Sequence, residues 1–258
     1  MKMSKITGRE LPQFKVTTDP ARPSDTAVGI EIEVENIRDE GQFKFNLWDM
    51  IHDGSIVNGI EFVSKPIWGT AIKDALDEIR EVFKTNDPYL SFRTSVHVHI
   101  NVLDIDHDQV EHLVLLYLLY EPALFRLHEA WGRYDNIFCV PARKSIKVQD
   151  GYAKLLSDLS QGRVRQDYVG YKYSALNPNS LARFGTMEFR HMGGTADMDE
   201  IDQWVNILLQ LKSAADRQTT ITEPRAVFSE YYDLLDIRDE DITDGVQLIE
   251  YIQMKRGN

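Results

Sequence analysis

Cysteine is nearly absent. Cys139 is the single one in 258 residues, so no disulfide can form within the chain, and a reducing compartment is the expectation. Set in Ile137-Phe138-Cys139-Val140, it reads as a small core residue rather than a nucleophile. Long apolar runs are missing too. The greasiest stretch, Leu113 to Tyr120, is far too short to cross a bilayer, and the opening MKMSKITGRE holds no apolar stretch that could act as a secretory signal. A cytoplasmic protein with no membrane partner is expected. Basic charge is scarce, with 29 Lys and Arg against 41 Asp and Glu and a net charge of −12. That balance argues against a general binder of duplex nucleic acid and leaves a nucleotide open. Neither a Walker loop of the GxxxxGK[ST] type nor a kinase-type glycine loop is present, which disfavours those two routes to phosphoryl transfer. Hydrophobic content of 43% and charged content of 27% are those of an ordinary globular chain.

What is present is one strand pattern, repeated. In Gly29-Ile30-Glu31-Ile32-Glu33-Val34-Glu35 apolar and acidic residues alternate strictly, as in a half-buried β-strand. Carboxylates two residues apart on a strand lie roughly 6.5 to 7 Å apart, and such anions resist ionising together unless a cation lies between them. Alone, the pattern also fits an edge strand whose charges deter aggregation. It recurs, however. Asp53-Gly54-Ser55 leads into Gly59-Ile60-Glu61-Phe62-Val63-Ser64. Ser95-Val96-His97-Val98-His99-Ile100-Asn101 puts His97, His99 and Asn101 on one face, and Met187-Glu188-Phe189-Arg190-His191 puts Glu188 and Arg190 on one face. A merely solvated sheet would show Thr, Lys, Gln and Ser in these places.

Around these strands the chain divides into an arm over 1–26, a catalytic body over 27–217 and an acidic helical extension over 218–258. Apolar spacing predicts a helix from Gly69 to Lys84 and another from Asp106 or Asp108 to about Tyr120. Pro122 is expected to open a further helix to Trp131, and a long helix follows Asp197. Arg143 to Lys172 holds seven Lys or Arg against three Asp, which could cradle a polyanion or could be a solvated loop and short helix. A strand is expected over Tyr171 to Leu176, with later helices near Phe228 to Leu235 and Thr243 to Met254.

Oxygen ligands with an occasional imidazole favour Mg²⁺ or Mn²⁺ over structural zinc. So many carboxylates on one surface call for about two or three ions. Divalent ions among carboxylates with an arginine nearby are the usual apparatus of phosphoryl transfer. Taken in order, GIEIEVE, DGS with GIEFVSKP, SVHVHIN, KYSALNP and FGTMEFRH make the chain resemble the amidoligase family, within the carboxylate–amine ligase superfamily that includes glutamine synthetase and glutamate–cysteine ligase.

That resemblance implies an α+β fold. It has an antiparallel sheet whose concave face is the active site, with helices packed on the outer face, as in the glutamine synthetase catalytic domain. It further implies an ATP-dependent ligase that joins a carboxylate to an amine through an acyl phosphate, acting on an amino acid, a peptide or a cell-wall fragment. By motif, Glu33, Asp53 and Glu61 correspond to ligands of one ion, and Glu31, His97 and Glu188 to ligands of the other. His99 corresponds to the position that approaches the nucleotide phosphates, and Arg190 to the arginine that stabilises the transferring group. Lys172, Arg143 and Lys144 are candidates for nucleotide or acyl-phosphate contact by position and charge alone. Ser95 stands where the family commonly has Gly. A metal-dependent hydrolase built on His97 and His99, and an inert nucleotide- or peptide-binding module of the same fold, are the alternatives.

Overall fold

The computed structural model describes residues 1–11, 19–37, 43–54, 56–168 and 173–256, without the side chain of Asp53. The alternating segments form β1 (Val28–Glu35), β2 (Trp48–Asp53), β3 (Gly59–Ser64), β4 (Ser95–Asn101), β5 (Leu176–Asn177) and β6 (Thr186–Gly193). They build one sheet in the order β2-β3-β1-β4-β6-β5, antiparallel at every step. The helices are α1 (Met3–Thr7), α2 (Thr70–Thr85), α3 (His107–Leu127), α4 (Ile146–Ser160), α5 (Ser180–Phe184), α6 (Met198–Asp216), α7 (Pro224–Phe228) and α8 (Asp239–Arg256).

Period-two alternation sends Ile30 and Ile32 of β1, Val96 and Val98 of β4 and Phe189 of β6 to one face. There they join Ile72 and Leu76 of α2, Leu113 and Tyr117 of α3 and Ile201 and Trp204 of α6 in a single core. Each such side chain contributes about 1.5–3 kcal/mol by leaving water. The opposite face is left to the carboxylates and imidazoles. Among the described residues no helix is long and apolar enough to cross a membrane.

Five elements differ from the sequence expectation. Among the described residues the strand expected over Tyr171 to Leu176 is β5 at Leu176–Asn177, and the helix expected near Phe228 to Leu235 is α7, which ends at Phe228 and is followed by turns. The arm begins with α1 rather than extended chain. The basic segment contains the full helix α4, and its charges are met locally, Arg163 and Arg165 by Asp158 and Lys144 by Asp135. Pro122 opens no new helix but lies inside α3. Proline in a helix interior removes one backbone hydrogen bond and costs about 3 kcal/mol. Burial on both sides outweighs that cost, since Tyr117, Leu118, Leu119, Tyr120, Ala123 and Leu124 are all buried. Beside the proline, the buried Glu121 carboxylate accepts from the backbone of Ala142 at 2.7 Å and Arg143 at 3.2 Å, and from the Tyr117 hydroxyl. It thereby pins the 142–144 turn to α3. In the C-terminal segment, α8 packs on α3 and α4. Gly245 permits that approach, since a Cβ there would stand 2.7 Å from Leu119 Cδ1.

Behind β6, His128 and His191 lie buried around Trp204, and none of their ring nitrogens has a hydrogen-bond partner among the described residues. Burial, helped by the Arg133 charge, pushes His128 from 6.5 down to about 3. Burial followed by the charges of His128 and Arg133 takes His191 well below its ordinary value. The unfolded chain therefore binds protons that the folded chain refuses between about pH 6.5 and pH 3, and stability must fall as pH falls through that window. The expected loss between pH 7 and pH 5 is about 2 kcal/mol per imidazole. Urea midpoints at the two pH values check this. His128→Phe should remove about half of this loss, and a variant as acid-sensitive as the parent contradicts the assignment.

Candidate active site

Register decides which side chains meet. Glu33 of β1 lies opposite Glu61 of β3, and Glu31 lies opposite His97 of β4. One step further along, His99 lies opposite Glu188 of β6. All these groups share the face turned away from the core. Two sets of three could each hold a metal ion, Glu31 with His97 and Glu188, and Glu33 with Glu61 and His97, the donor atoms of each set lying within 4.8 Å of one another. His97 belongs to both.

The hydrogen bonds orient its ring. Ser95 Oγ donates to Glu33 Oε2 at 2.5 Å and lies 2.8 Å from His97 Nε2. A hydroxyl has one proton, so Nε2 must be the donor to Ser95. In the neutral ring this leaves the lone pair on Nδ1, which stands 3.0 Å from Glu31 Oε2 and 3.9 Å from Glu188 Oε1. A bare imidazole nitrogen facing two carboxylates suits a divalent cation, and the serine behind it is the kind of outer partner that fixes a ligand's tautomer. The donor set therefore fits Mg²⁺ or Mn²⁺.

Glu188 is engaged at both oxygens. Asn177 Nδ2 donates to Oε2 at 2.7 Å, and the Arg190 guanidinium pairs with Oε1. Arg190 Nε also donates to the Phe138 carbonyl at 3.3 Å. Burial alone would raise the Glu188 carboxyl, but the charges of Arg190, His99 and His97 overcome it and hold its pKa down. Burial likewise opposes ionisation of Glu31, where the contacts with His97 and His99 prevail and keep it well below the carboxylate range. For His99, burial works against the charged ring, and Glu31 and Glu188 reverse it to raise its pKa. His99 Nε2 lies 3.2 Å from Glu31 Oε1, within ion-pair reach but off the line of a hydrogen bond, and Nδ1 lies 3.0 Å from Thr186 Oγ1.

Beside His99 opens a mainly apolar cavity of about 290 Å³, bounded by Gly29, Glu31, Val63, Pro66, Asn101 and Phe184. That is near the lower end of ligand pockets, roughly 300–1,000 Å³. The Phe184 ring, half exposed, meets His99 edge-on at 5.8 Å, with the Arg183 guanidinium over it at 4.9 Å.

Of the residues singled out in the sequence, Glu31, Glu33, Glu61, His97, His99, Glu188 and Arg190 share this face. Arg143 is not brought to it, because its Nη2 donates to the Asp241 carbonyl at 3.0 Å and its Nη1 faces Asp244 at 3.8 Å, both on α8. Lys144 is taken up by Asp135 and by the Tyr134 ring. Asp53 ends β2 opposite Gly59, but its side chain lies outside what is described, as does all of Lys172. His191 packs on Tyr117, Phe125 and Trp204 in the core, and no candidate metal group among the described residues contains a second imidazole, as a zinc hydrolase of the kind considered would need. Sequence reasoning passed over Asn177, Phe184, Phe138 and Arg133. Asn177 and Phe184 carried a signal, since they lie within KYSALNP and FGTMEFRH.

Fold and site together define an α+β protein with a carboxylate–imidazole centre on the open face of an antiparallel sheet. The chain belongs to the family described as "Putative amidoligase enzyme", whose sequence model matches residues 1–212. The class of chemistry in that description is amide-bond formation by a ligase. No curated protein matches the chain. Among solved structures, a bifunctional glutathione synthetase from Pasteurella multocida is 10% identical, with a TM-score of 0.37 over 90% of this chain and 46% of that one. The chain thus spans less than half of that protein's length, and so distant a likeness carries no argument about the chemistry here.

Proposed function

We propose that this protein is an ATP-dependent carboxylate–amine ligase that forms an amide through an acyl phosphate, its substrate an amino acid, a peptide or a cell-wall fragment. The observation that carries the reading is the two adjoining candidate metal sets that meet at His97, with Arg190 beside one of them on the same face. In this reading Glu31, Glu188 and His97, through Nδ1, hold one Mg²⁺ or Mn²⁺, and Glu33 and Glu61, with Asp53, hold a second. Such ions, when bound, neutralise and align phosphate oxygens during transfer.

The chain's own residues do the rest. Glu31 and Glu188 stay ionised under the influence of their cationic neighbours. Arg190 offers planar, forked donors to the oxyanion as charge develops on it. His99 stands at the mouth of the apolar cavity, which receives the nucleotide base, with Phe184 as a stacking platform. Lys172 is assigned to the nucleotide by its place in KYSALNP and its charge alone. The substrate carboxylate forms a bond to the γ-phosphorus as the bond to the leaving ADP oxygen breaks. An amine then attacks the acyl carbon, loses a proton and expels phosphate.

A screen of amino acids and short peptides for Mg²⁺-dependent ADP formation, with the condensed product weighed by mass spectrometry, tests this. Phosphate and ADP should appear only when carboxylate and amine are both present. Absence of any nucleotide binding with Mg²⁺ or Mn²⁺ would remove the reading. Base stacking on an aromatic ring is worth about 1–3 kcal/mol, so Phe184→Ala should raise the KM for ATP about tenfold with kcat little changed. An unaltered KM would move the base elsewhere.

A further inference from the structure

We infer that Arg133 is a positioning residue for Arg190 and acts through the backbone of β6, an inference that rests on the role given to Arg190 above. Arg133 opens the short 3₁₀ turn Arg133–Asp135 and is only 1% exposed. A buried guanidinium is costly unless a carboxylate meets it. Here Nε and Nη1 meet nothing better than the Cys139 thiol, a weak acceptor. A hydrophobic side chain of similar volume would fill the same space at no such cost. Stability therefore gives no reason for an arginine.

What the guanidinium holds is one backbone atom. Nη2 donates to the Arg190 carbonyl at 2.8 Å. That carbonyl lies at an irregularity of the sheet. Val98 opposes Phe189 and Val96 opposes Met192, so two residues, Arg190 and His191, stand against His97 alone. A bulge of this kind interrupts the ladder and re-aims side chains. At this one Arg190 turns to Glu188 while His191 enters the core. The same segment grips the side chain as well, through the Phe138 carbonyl on Arg190 Nε. It is seated on β6 with no side chain between, since a Cβ on Gly193 would stand 2.6 Å from Trp131 Cβ. Arg190 is thus fixed at its carbonyl by Arg133 and at its guanidinium by Phe138.

The test uses the full chain carrying Arg133→Met or Arg133→Lys, each alone and with Arg190→Ala. Two quantities are read: Mg²⁺-dependent ADP formation, and the NMR signal of the Arg190 Nε–H, which needs no turnover. Arg133→Met should displace or broaden that signal. It should lower kcat roughly 10- to 100-fold, the scale of a small misplacement of a reacting group, with the KM for ATP unchanged. Arg133→Lys, which keeps one donor for the bulge carbonyl, should recover most of both. In the Arg190→Ala background Arg133→Met should add no further loss, because both act through one group. An unmoved Arg190 signal, losses that multiply in the double variant, or a folded Arg133→Lys as impaired as Arg133→Met would each overturn the inference. If Arg133→Met fails to fold, Arg133→Lys carries the same measurements. A parent protein that turns over no ATP would count against the ligase reading, and the Arg190 signal would still decide this inference.

Discussion

Arg190→Ala is expected to lower the kcat of ADP formation by about 10²–10³, the usual effect of removing one donor from a developing oxyanion. The reason lies in where the guanidinium stands. It is buried, paired with Glu188 on one side and held by the Phe138 carbonyl on the other. It therefore needs no rearrangement of solvent to meet new charge. Loss of the guanidinium leaves the buried Glu188 carboxylate with its Asn177 Nδ2 bond, so stability should also fall by about 3–5 kcal/mol and turnover is read on the folded protein. Binding of an ATP analogue should persist, since His99 and the apolar cavity are untouched. Steady-state kinetics beside a thermal melt checks this, and parent-like turnover in a folded variant would remove Arg190 from the chemistry.

Replacing Glu188 should have the larger effect, a fall on the order of 10³–10⁴ in kcat. Glu188 is at once a member of a candidate metal set and the partner of Arg190. Glu188→Ala strands a buried guanidinium, which costs about 3–5 kcal/mol, so lost activity in that variant is mixed with lost stability. Glu188→Gln separates the two. It keeps an oxygen for Arg190 and removes the charge that a cation needs. Turnover should collapse in both variants, while the melting temperature should fall much further in Glu188→Ala. A glutamine variant with parent-like turnover would contradict the metal role of Glu188.

Strand faces were readable from the sequence because the period of a strand is two. Ile30, Ile32 and Val34 had to face away from Glu31, Glu33 and Glu35, and the same held for β4 and for most of β6. Register was not readable. Nothing within β1 dictates that Glu31 meets His97 while Glu33 meets Glu61, since that follows from how three distant segments pair. The bulge at Arg190 and His191 was invisible for the same reason. Ser95 looked like a small departure from a family glycine, yet its hydroxyl links His97 to Glu33. Pro122 misled because local preference places proline at a helix start, and burial of its neighbours overrode that preference. Arg143 was chosen for charge and position alone, and the partner that takes it, α8, lies about a hundred residues away along the chain.

The central claim is that this face of the sheet holds two cations, one of them on His97 Nδ1, and a Mn²⁺ titration followed by electron paramagnetic resonance tests it most directly. In the presence of a non-hydrolysable ATP analogue, the parent protein should bind two Mn²⁺ saturably, and His97→Ala should weaken at least one of them while the protein stays folded. Saturable binding that His97→Ala leaves unchanged, or no saturable binding at all, would contradict the account.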